Sequence, residues 1–148
     1  MHDVRDLQIQ RAGYALEDLA VGMTAAYRHT LTDRDIHAFA DLTGDHNPLH
    51  LNEDFARQTR FKGRIAHGML SASFFSTVLA ILPGPGTIYL GQTLAFKAPV
   101  RIGDTVEARA TIMDILPEKA RVRLKTVCTV GETVVIDGEA TAIVPRRG

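Results

Sequence analysis

One segment of the sequence, residues 69–82, constrains the fold more than any other, because it would be apolar on almost every side of a helix. Only hydroxyl side chains interrupt it, at Ser71, Ser73, Ser76 and Thr77. A helix without a polar face has to be covered by other parts of the protein. At 14 residues the segment is also shorter than the roughly 20 that a membrane-spanning helix needs. We therefore predict a helix buried inside a globular domain.

The spacing of apolar residues changes after this segment. Pro83-Gly84-Pro85-Gly86 ends the helix, and beyond it apolar residues recur at every second position, which is the period of strands with one buried face. We predict strands within residues 87–100, 106–112, 122–130 and 134–144, turns at 103–104, 117–119 and 131–132, and a first strand within 23–31. This pattern predicts an α+β protein of the hot-dog type, in which a curved antiparallel sheet wraps around the apolar helix.

The length of 148 residues fits a single domain. We assign residues 14–148 to this domain and residues 1–13 to a flexible N-terminal tail. A single curved sheet leaves an edge strand open, and pairing with a second copy would cover that edge. We therefore expect a homodimer.

The charge balance and the cysteine content exclude several classes of protein. The chain has 17 basic and 17 acidic residues, so it lacks the positive field that attracts nucleic acid or anionic membranes. Its one cysteine, Cys128, cannot form an internal disulfide, and its place in an alternating strand predicts a buried, inert thiol. The N-terminal residues contain no apolar stretch of the kind that a secretory signal needs. We expect a cytoplasmic protein that binds neither nucleic acid nor membranes.

A capped helix leads into the segment that holds most of the candidate chemistry. Thr32 followed by Asp35 is a variant of the capping box that starts helices, and Gly44 accepts the left-handed conformation that ends them. We therefore predict a helix between Thr32 and Gly44, and a short helix over residues 53–58. The stretch that directly follows Gly44 is expected to be neither helix nor strand.

Asp45 and His50 are the candidate proton-transfer residues. They lie five positions apart on this stretch, and Pro48 restricts the backbone between them. A carboxylate beside a histidine on constrained backbone can move protons near neutral pH. Two alternatives stay open on this spacing alone: Asp45 could form a turn, and His50 could be a structural histidine.

Two further groups of residues, three histidines and the serines of the apolar segment, give weaker indications of a functional site. A metal site formed by His46, His50 and His67 is disfavoured, because Pro48 prevents the first two from sharing a helical face and no cysteine is near. We therefore expect no metal, and we expect His67 to be structural. The serines of the apolar segment lack the Gly-x-Ser-x-Gly surroundings of a nucleophile, and serines in buried helices usually bond back to the preceding turn.

Three blocks of sequence carry a resemblance to a known family, and they read Gly44-Asp45-His46-Asn47-Pro48-Leu49-His50, Ile65-Ala66-His67-Gly68-Met69, and Ile88-Tyr89-Leu90-Gly91-Gln92 with Phe96-Lys97-Ala98-Pro99-Val100. From about residue 31 to its end, the chain resembles the MaoC-like family, in particular its small single-domain members, the (R)-specific enoyl-CoA hydratases. The resemblance implies a hot-dog homodimer and a hydro-lyase that adds water reversibly to trans-2-enoyl-CoA, giving (R)-3-hydroxyacyl-CoA. It implies no cofactor beyond the coenzyme A of the substrate, and a role in fatty acid metabolism or polyhydroxyalkanoate synthesis.

The resemblance also implies roles for individual residues. It assigns the catalytic pair to Asp45 and His50, and a supporting polar contact to Ser76. It implies that the backbone N–H of Gly68 donates a hydrogen bond to the carbonyl oxygen of the thioester. The residues themselves agree with part of this, since Gly68 stands where the apolar helix begins and its N–H would lie at the positive end of the helix dipole. Asn47 could orient the water or hold the loop. Which of Asp45 and His50 is base and which is acid stays open.

Other functions remain as alternatives. The chain could be a MaoC-like 3-hydroxyacyl-thioester dehydratase that works mainly in the reverse direction, or a non-catalytic acyl-CoA-binding module, which would need neither Asp45 nor His50. Hot-dog thioesterases and acyl-carrier-protein dehydratases commonly place an acidic residue on the central helix, and residues 69–82 contain none. A basic cluster could meet coenzyme A phosphates or be a solvated surface, and it comprises Arg57, Arg60, Lys62 and Arg64.

Overall fold

The structure, a computed structural model, describes residues 13–148, so the N-terminal tail predicted for residues 1–13 lies outside the described residues except for Gly13. Within these residues, four α-helices and six strands follow one another, with short 3-10 helices at Leu16–Asp18 and Pro117–Lys119. The helices are α1 (Asp33–Thr43), α2 (Pro48–Leu51), α3 (Glu53–Arg57) and α4 (Gly68–Leu79). The strands are β1 (Thr24–Thr30), β2 (Ile88–Gln92), β3 (Ala95–Phe96), β4 (Thr105–Leu116), β5 (Arg121–Val130) and β6 (Thr133–Ile143).

The strands form one antiparallel sheet in the order β1-β4-β5-β6-β2, and β3 also pairs with β6. The long strands β4, β5 and β6 are joined by short turns, as their spacing predicts. Their pairing shifts register between Ile112 and Asp114 and again between Cys128 and Thr129, and such bulges bend a sheet. The sheet curves around α4, which contacts β4, β1 and β5. The predicted α+β hot-dog architecture is therefore confirmed.

Alternation along the strands builds the core as predicted. Alternate residues in the first part of β4 and along β5 are buried, and these residues are Val106, Ala108, Ala110 and Ile112 on β4 and Val122, Leu124, Thr126 and Cys128 on β5. From α4 itself, Phe75, Val78 and Leu79 enter the same core. The apolar surface of the sheet and that of the helix thus cover each other.

The two ends of α1 form as the sequence predicts. The Thr32 hydroxyl accepts a hydrogen bond from the Asp35 N–H (3.1 Å), and the Asp35 carboxylate accepts one from the Thr32 N–H (3.0 Å). Gly44 then takes a left-handed conformation at φ 83°, which ends the helix. The stretch after Gly44, which carries Asp45 and His50, therefore starts at a fixed point.

The expectation that the stretch after Gly44 contains no helix is wrong. Pro48 opens the short helix α2, because proline at the first helical position loses no backbone bond and already has the required φ. The Asn47 side chain caps this helix by accepting a hydrogen bond from the Leu49 N–H (3.0 Å). His50 is thus carried on a helical turn rather than on an irregular loop.

The segment predicted as one strand over residues 87–100 forms two short strands, β2 and β3. Helix α4 is likewise less completely covered than its composition predicts. One stripe along it is exposed at Met69, Ser73 and Ser76, and it continues to Ala80 directly after the helix. Within residues 13–148, no helix has the length and apolar character needed to cross a membrane.

Candidate active site

Three side chains from separate elements meet at the start of α4. Asp45 follows α1, His50 lies on α2, and His67 immediately precedes α4. One potential ligand atom from each of the three lies within 4.8 Å of the others. The imidazole rings of His50 and His67 have their centroids 3.9 Å apart. The structure therefore brings the predicted pair, Asp45 and His50, together and adds His67 to it.

His50 is buried and held from two sides. Its Nδ1 lies 2.8 Å from the main-chain oxygen of Ile65, and because a carbonyl oxygen only accepts, Nδ1 carries the proton of that bond. In the neutral ring Nε2 therefore has a free lone pair. The main-chain oxygen of His50 accepts a hydrogen bond from Arg64 Nε (2.7 Å), and the Arg64 guanidinium also donates to Asp33 on α1 (2.6 Å). The ring can thus accept a proton from a fixed position.

Asp45 is exposed, and its backbone surroundings shape the turn. One carboxylate oxygen accepts a hydrogen bond from the Asn47 N–H (3.2 Å), and the Asp45 N–H donates to the Thr43 hydroxyl (3.2 Å). The turn-forming role that the sequence left open is therefore real. It uses one oxygen of the carboxylate, and the second oxygen makes no hydrogen bond to the described part of the chain. Asp45 can form the turn and also accept a proton.

His67 holds this turn by a hydrogen bond. Its Nε2 donates to the main-chain oxygen of Asp45 (3.0 Å), and its ring packs against Phe39 with centroids 4.9 Å apart. Burial, together with the neighbouring His50, lowers the pKa of His67 below the usual value, which favours the neutral ring. The predicted structural role of His67 agrees with these contacts.

His46 belongs to a different surface. Its ring bonds to the Asp41 carboxylate (3.2 Å) and to the Gly44 main-chain oxygen (3.2 Å), and the Asp41 bond raises the pKa of His46. The three-histidine cluster weighed from the sequence is therefore not formed, and Asp45 takes the place of His46.

A pocket of about 370 Å³ opens beside His50. His50, His67 and Gly68 line one part of it, and the opposite part comprises Phe96, Lys97, Ala98, Pro99, Val100 and Ile136. Gly68 is the first residue of α4, so its N–H has no partner four residues back in the helix. A Cβ atom at Gly68 would lie 2.6 Å from the Phe96 ring, so this close approach needs glycine.

Two predicted supporting residues have different placements. The Asn47 side chain is engaged in capping α2, which corresponds to holding the loop. Ser76 is exposed on α4 and does not line the pocket, so its predicted polar contact is not made within the single chain. Ser71 does line the pocket, and its buried hydroxyl has no hydrogen-bond partner within residues 13–148. The signal for Ser71 was its spacing of three residues, about one helical turn, from Gly68.

Some members of the basic cluster form ion pairs and others do not. Arg57 pairs with Asp54 (3.2 Å), and Arg64 is engaged with Asp33 as described above. Arg60 lines the pocket together with Lys97, and neither forms an ion pair within the described part of the chain. Of the cluster, Arg60 is therefore the member placed to meet an anionic group at the pocket.

Comparisons with known proteins find a matching family model, related sequences and similar solved structures. The family model described as MaoC like domain matches residues 20–138. The chain is 56% identical over 133 residues to the (R)-specific enoyl-CoA hydratase of Rhodospirillum rubrum, covering 89% of this chain and 92% of that protein. It is 49% identical over 132 residues to the 3-hydroxybutyryl-CoA dehydratase of Methylorubrum extorquens, covering 88% of this chain and 84% of that protein. Among solved structures, the R-hydratase PhaJ1 from Pseudomonas aeruginosa in the unliganded form superposes with a TM-score of 0.85 at 43% identity. The match covers 91% of this chain and 88% of that one.

Proposed function

The chain belongs to the MaoC-like domain family, and we propose that it is an (R)-specific enoyl-CoA hydratase. It adds water reversibly to trans-2-enoyl-CoA and yields (R)-3-hydroxyacyl-CoA, a hydro-lyase reaction. The observation that carries this proposal is the meeting of Asp45 with His50, which lines a pocket together with Gly68, the first residue of α4. The product can supply polyhydroxyalkanoate synthesis or enter fatty acid metabolism.

Asp45 and His50 are proposed to hold one water molecule between them. The free Nε2 of neutral His50 and the unbonded oxygen of the Asp45 carboxylate are both acceptors, so together they can bind both hydrogens of one water. The water oxygen attacks the β-carbon as its proton passes to the pair, and the pair protonates the α-carbon. Because both steps occur on the face where the pair lies, the addition is syn. The two groups act as a unit.

Gly68 is proposed to stabilise the negative charge that develops on the thioester oxygen. Its N–H stands at the positive end of a 12-residue helix, and Gly68 lines the pocket. Loss of one such donor typically lowers a rate by roughly a hundred- to thousandfold. The acyl chain would lie among the apolar residues of the pocket, and the anionic part of coenzyme A would meet Arg60 and Lys97. No cofactor is required for these steps.

The reverse direction uses the same groups. Dehydration of (R)-3-hydroxyacyl-CoA passes through the same charged intermediate, and one similar protein bears the name 3-hydroxybutyryl-CoA dehydratase. The direction of net reaction therefore depends on substrate supply. A non-catalytic acyl-CoA-binding module is disfavoured, because binding alone would not need a buried histidine with a free Nε2 beside a carboxylate.

The rate of crotonyl-CoA hydration, followed by loss of absorbance of the conjugated thioester, tests this function. We expect rapid hydration by the parent chain and a loss of several orders of magnitude in Asp45→Asn and in His50→Gln. The matched control is His46→Gln, since His46 is exposed, lies on the same stretch and bonds to Asp41 instead. Parental rates in Asp45→Asn or His50→Gln would contradict the proposed site.

We further propose that the chain is a homodimer. Strand β2 pairs on one side only within the described residues, and it exposes Ile88, Tyr89 and Leu90. An apolar open edge of this kind is commonly covered by a partner. Sedimentation equilibrium should give twice the chain mass for the parent and the chain mass for Leu90→Arg. The control Met113→Arg alters an exposed apolar residue on the interior strand β4 and should stay dimeric. A monomeric parent would contradict the proposal.

A further inference from the structure

We propose that Asp45, His50 and His67 form a binding site for a divalent transition metal of the zinc class, and that metal bound there stops hydration. The binding itself is independent of the proposed function, whereas the inhibition rests on it. The inference starts from His67, a buried histidine that the hydration mechanism does not use as an acid or base.

His67 has an unused acceptor. It is 2% exposed, its Nε2 donates to the Asp45 main-chain oxygen, and its Nδ1 is buried without a hydrogen-bond partner among residues 13–148. A buried polar atom without a partner is costly, and few are found in native proteins. A metal ion is one partner that would satisfy this lone pair.

His50 has the complementary arrangement. Its Nδ1 is used by the Ile65 main-chain oxygen, which leaves Nε2 as the free nitrogen. In both rings, therefore, one nitrogen donates to a main-chain oxygen and the other keeps its lone pair. Metal-binding histidines typically show this pattern, because the outer hydrogen bond fixes the tautomer and the ring orientation.

Asp45 completes the donor set. Its carboxylate is exposed, and one potential ligand atom from each of the three residues lies within 4.8 Å of the others. Zn²⁺ binds nitrogen and carboxylate oxygen at about 2.0–2.2 Å, so the atoms need to approach one another by roughly an ångström. The exposed Asp45 side chain is free to make most of that movement, while the two histidines stay packed ring against ring.

Two imidazole nitrogens and one carboxylate favour a particular class of ion. Imidazole suits Zn²⁺, Co²⁺ and related transition metals, whereas Mg²⁺ and Ca²⁺ prefer sites made of oxygen alone. Three protein ligands also leave a coordination position open. Two of the three, His50 and His67, line the pocket. The site thus differs from a closed structural zinc centre.

Occupancy by a metal would block the proposed chemistry. The ion takes the lone pair of His50 Nε2 and the carboxylate of Asp45, which are the two acceptors proposed to hold the reacting water. Neither can then accept a proton from that water. Hydration should stop as the metal binds and resume when a chelator removes it.

Calorimetric titration of the chelator-treated full chain with Zn²⁺ tests the binding directly. We expect one Zn²⁺ per chain for the parent, and an affinity at least about tenfold weaker for His67→Gln, which can still donate to the Asp45 oxygen. The matched control His46→Gln removes a neighbouring exposed imidazole and should bind like the parent. The Co²⁺ form of the parent should show the visible absorption of a low-coordinate site, and circular dichroism checks that each variant is folded.

Several results would overturn the proposal. The donor set is excluded if the parent shows no saturable binding. It is also excluded if His67→Gln and His50→Gln both keep the parental affinity, or if His46→Gln loses binding. For the second half, crotonyl-CoA hydration should fall over the same Zn²⁺ concentrations that saturate the site and recover with chelator. Saturated binding with undiminished hydration would contradict the inhibition. A parent that binds Zn²⁺ but never hydrates crotonyl-CoA would refute the proposed function and leave the metal site intact.

Discussion

Removal of the Arg64 guanidinium is expected to weaken the fold and to displace His50. The Arg64 side chain is 15% exposed, and it joins the main-chain oxygen of buried His50 (2.7 Å) to Asp33 at the start of α1 (2.6 Å). A buried acceptor that loses a charged donor costs about 1.5–3 kcal/mol, and the pair with the half-exposed Asp33 adds at most about 1 kcal/mol. Arg64→Met, which keeps the apolar stem, should therefore lose about 2–3 kcal/mol of the free energy of unfolding.

Asp33→Asn separates the two contacts of Arg64. It weakens the exposed ion pair but leaves the bond to His50 in place, so its cost should stay below about 1 kcal/mol. Because the Arg64 hydrogen bond lowers the pKa of Asp33 in the folded chain, the stability from this pair is present above the ordinary pKa of an aspartate and is lost as the pH falls through the lowered value. Measurements at pH 7 therefore include the full contribution of the pair.

Two assays check this prediction. Urea unfolding followed by far-ultraviolet circular dichroism gives the free energy of unfolding, and this probe suits a chain without tryptophan. Crotonyl-CoA hydration should show kcat lowered about 10- to 100-fold in Arg64→Met with KM little changed, since misplacing a catalytic group by about 1 Å can cost a hundredfold and Arg64 does not line the pocket. The reasoning is refuted if Arg64→Met costs no more stability than Asp33→Asn, or if its kcat matches that of the parent.

Three further predictions concern other parts of the molecule. Gly138→Ala should lose about 3 kcal/mol or more in urea unfolding, because its Cβ would collide with the main-chain oxygen of Thr93 between β2 and β3, whereas Gly91→Ala meets an ordinary 3.5 Å contact and should stay within about 1 kcal/mol of the parent. Burial raises the pKa of the Cys128 thiol to about 12, so a thiol reagent at pH 8 should modify the unfolded chain and leave the folded chain unmodified. Arg60→Gln should raise KM for crotonyl-CoA severalfold with kcat little changed, and Arg57→Gln, which alters an arginine already paired with a carboxylate, should leave KM at the parental value. Equal effects within either pair of variants, or a reactive native thiol, would contradict the corresponding argument.

The parts of the fold that depend on local rules could be predicted from the sequence. Thr32 and Asp35 form the capping box, Gly44 ends α1, and the alternating residues of β4 and β5 face the core. Each of these features depends on contacts within a few residues or on a single periodicity. The hot-dog arrangement followed because a wholly apolar helix needs a sheet to cover it.

The misread features depend on context. Pro48 argues against helix in the stretch after Gly44, yet it opens α2, because proline interrupts a helix from within but can begin one. The exposed stripe on α4 could not be foreseen, since composition does not show which side of an apolar helix its own sheet leaves uncovered.

Within the site, the proximity of Asp45 and His50 could be predicted, because both lie on one short stretch. A structural role for His67 could also be expected, from its place beside Gly68. The bond from Arg64 to the His50 main-chain oxygen could not, since these two residues meet only in the folded structure. The sequence does not distinguish Arg64 from the other basic residues of the cluster, so its bond to His50 could not be predicted. Only tertiary contacts distinguish an arginine that holds His50 from one at the pocket.

The stereochemistry of hydration in heavy water tests most directly the claim that Asp45 and His50 act on a single water molecule. The product formed from crotonyl-CoA in D₂O should be analysed by NMR for the position of deuterium at the α-carbon and by chiral analysis at the β-carbon. The account predicts one diastereomer, with the hydroxyl and the deuterium added to the same face and with the (R) configuration at the β-carbon. An anti product, a mixture at the α-carbon or an (S) alcohol would contradict it.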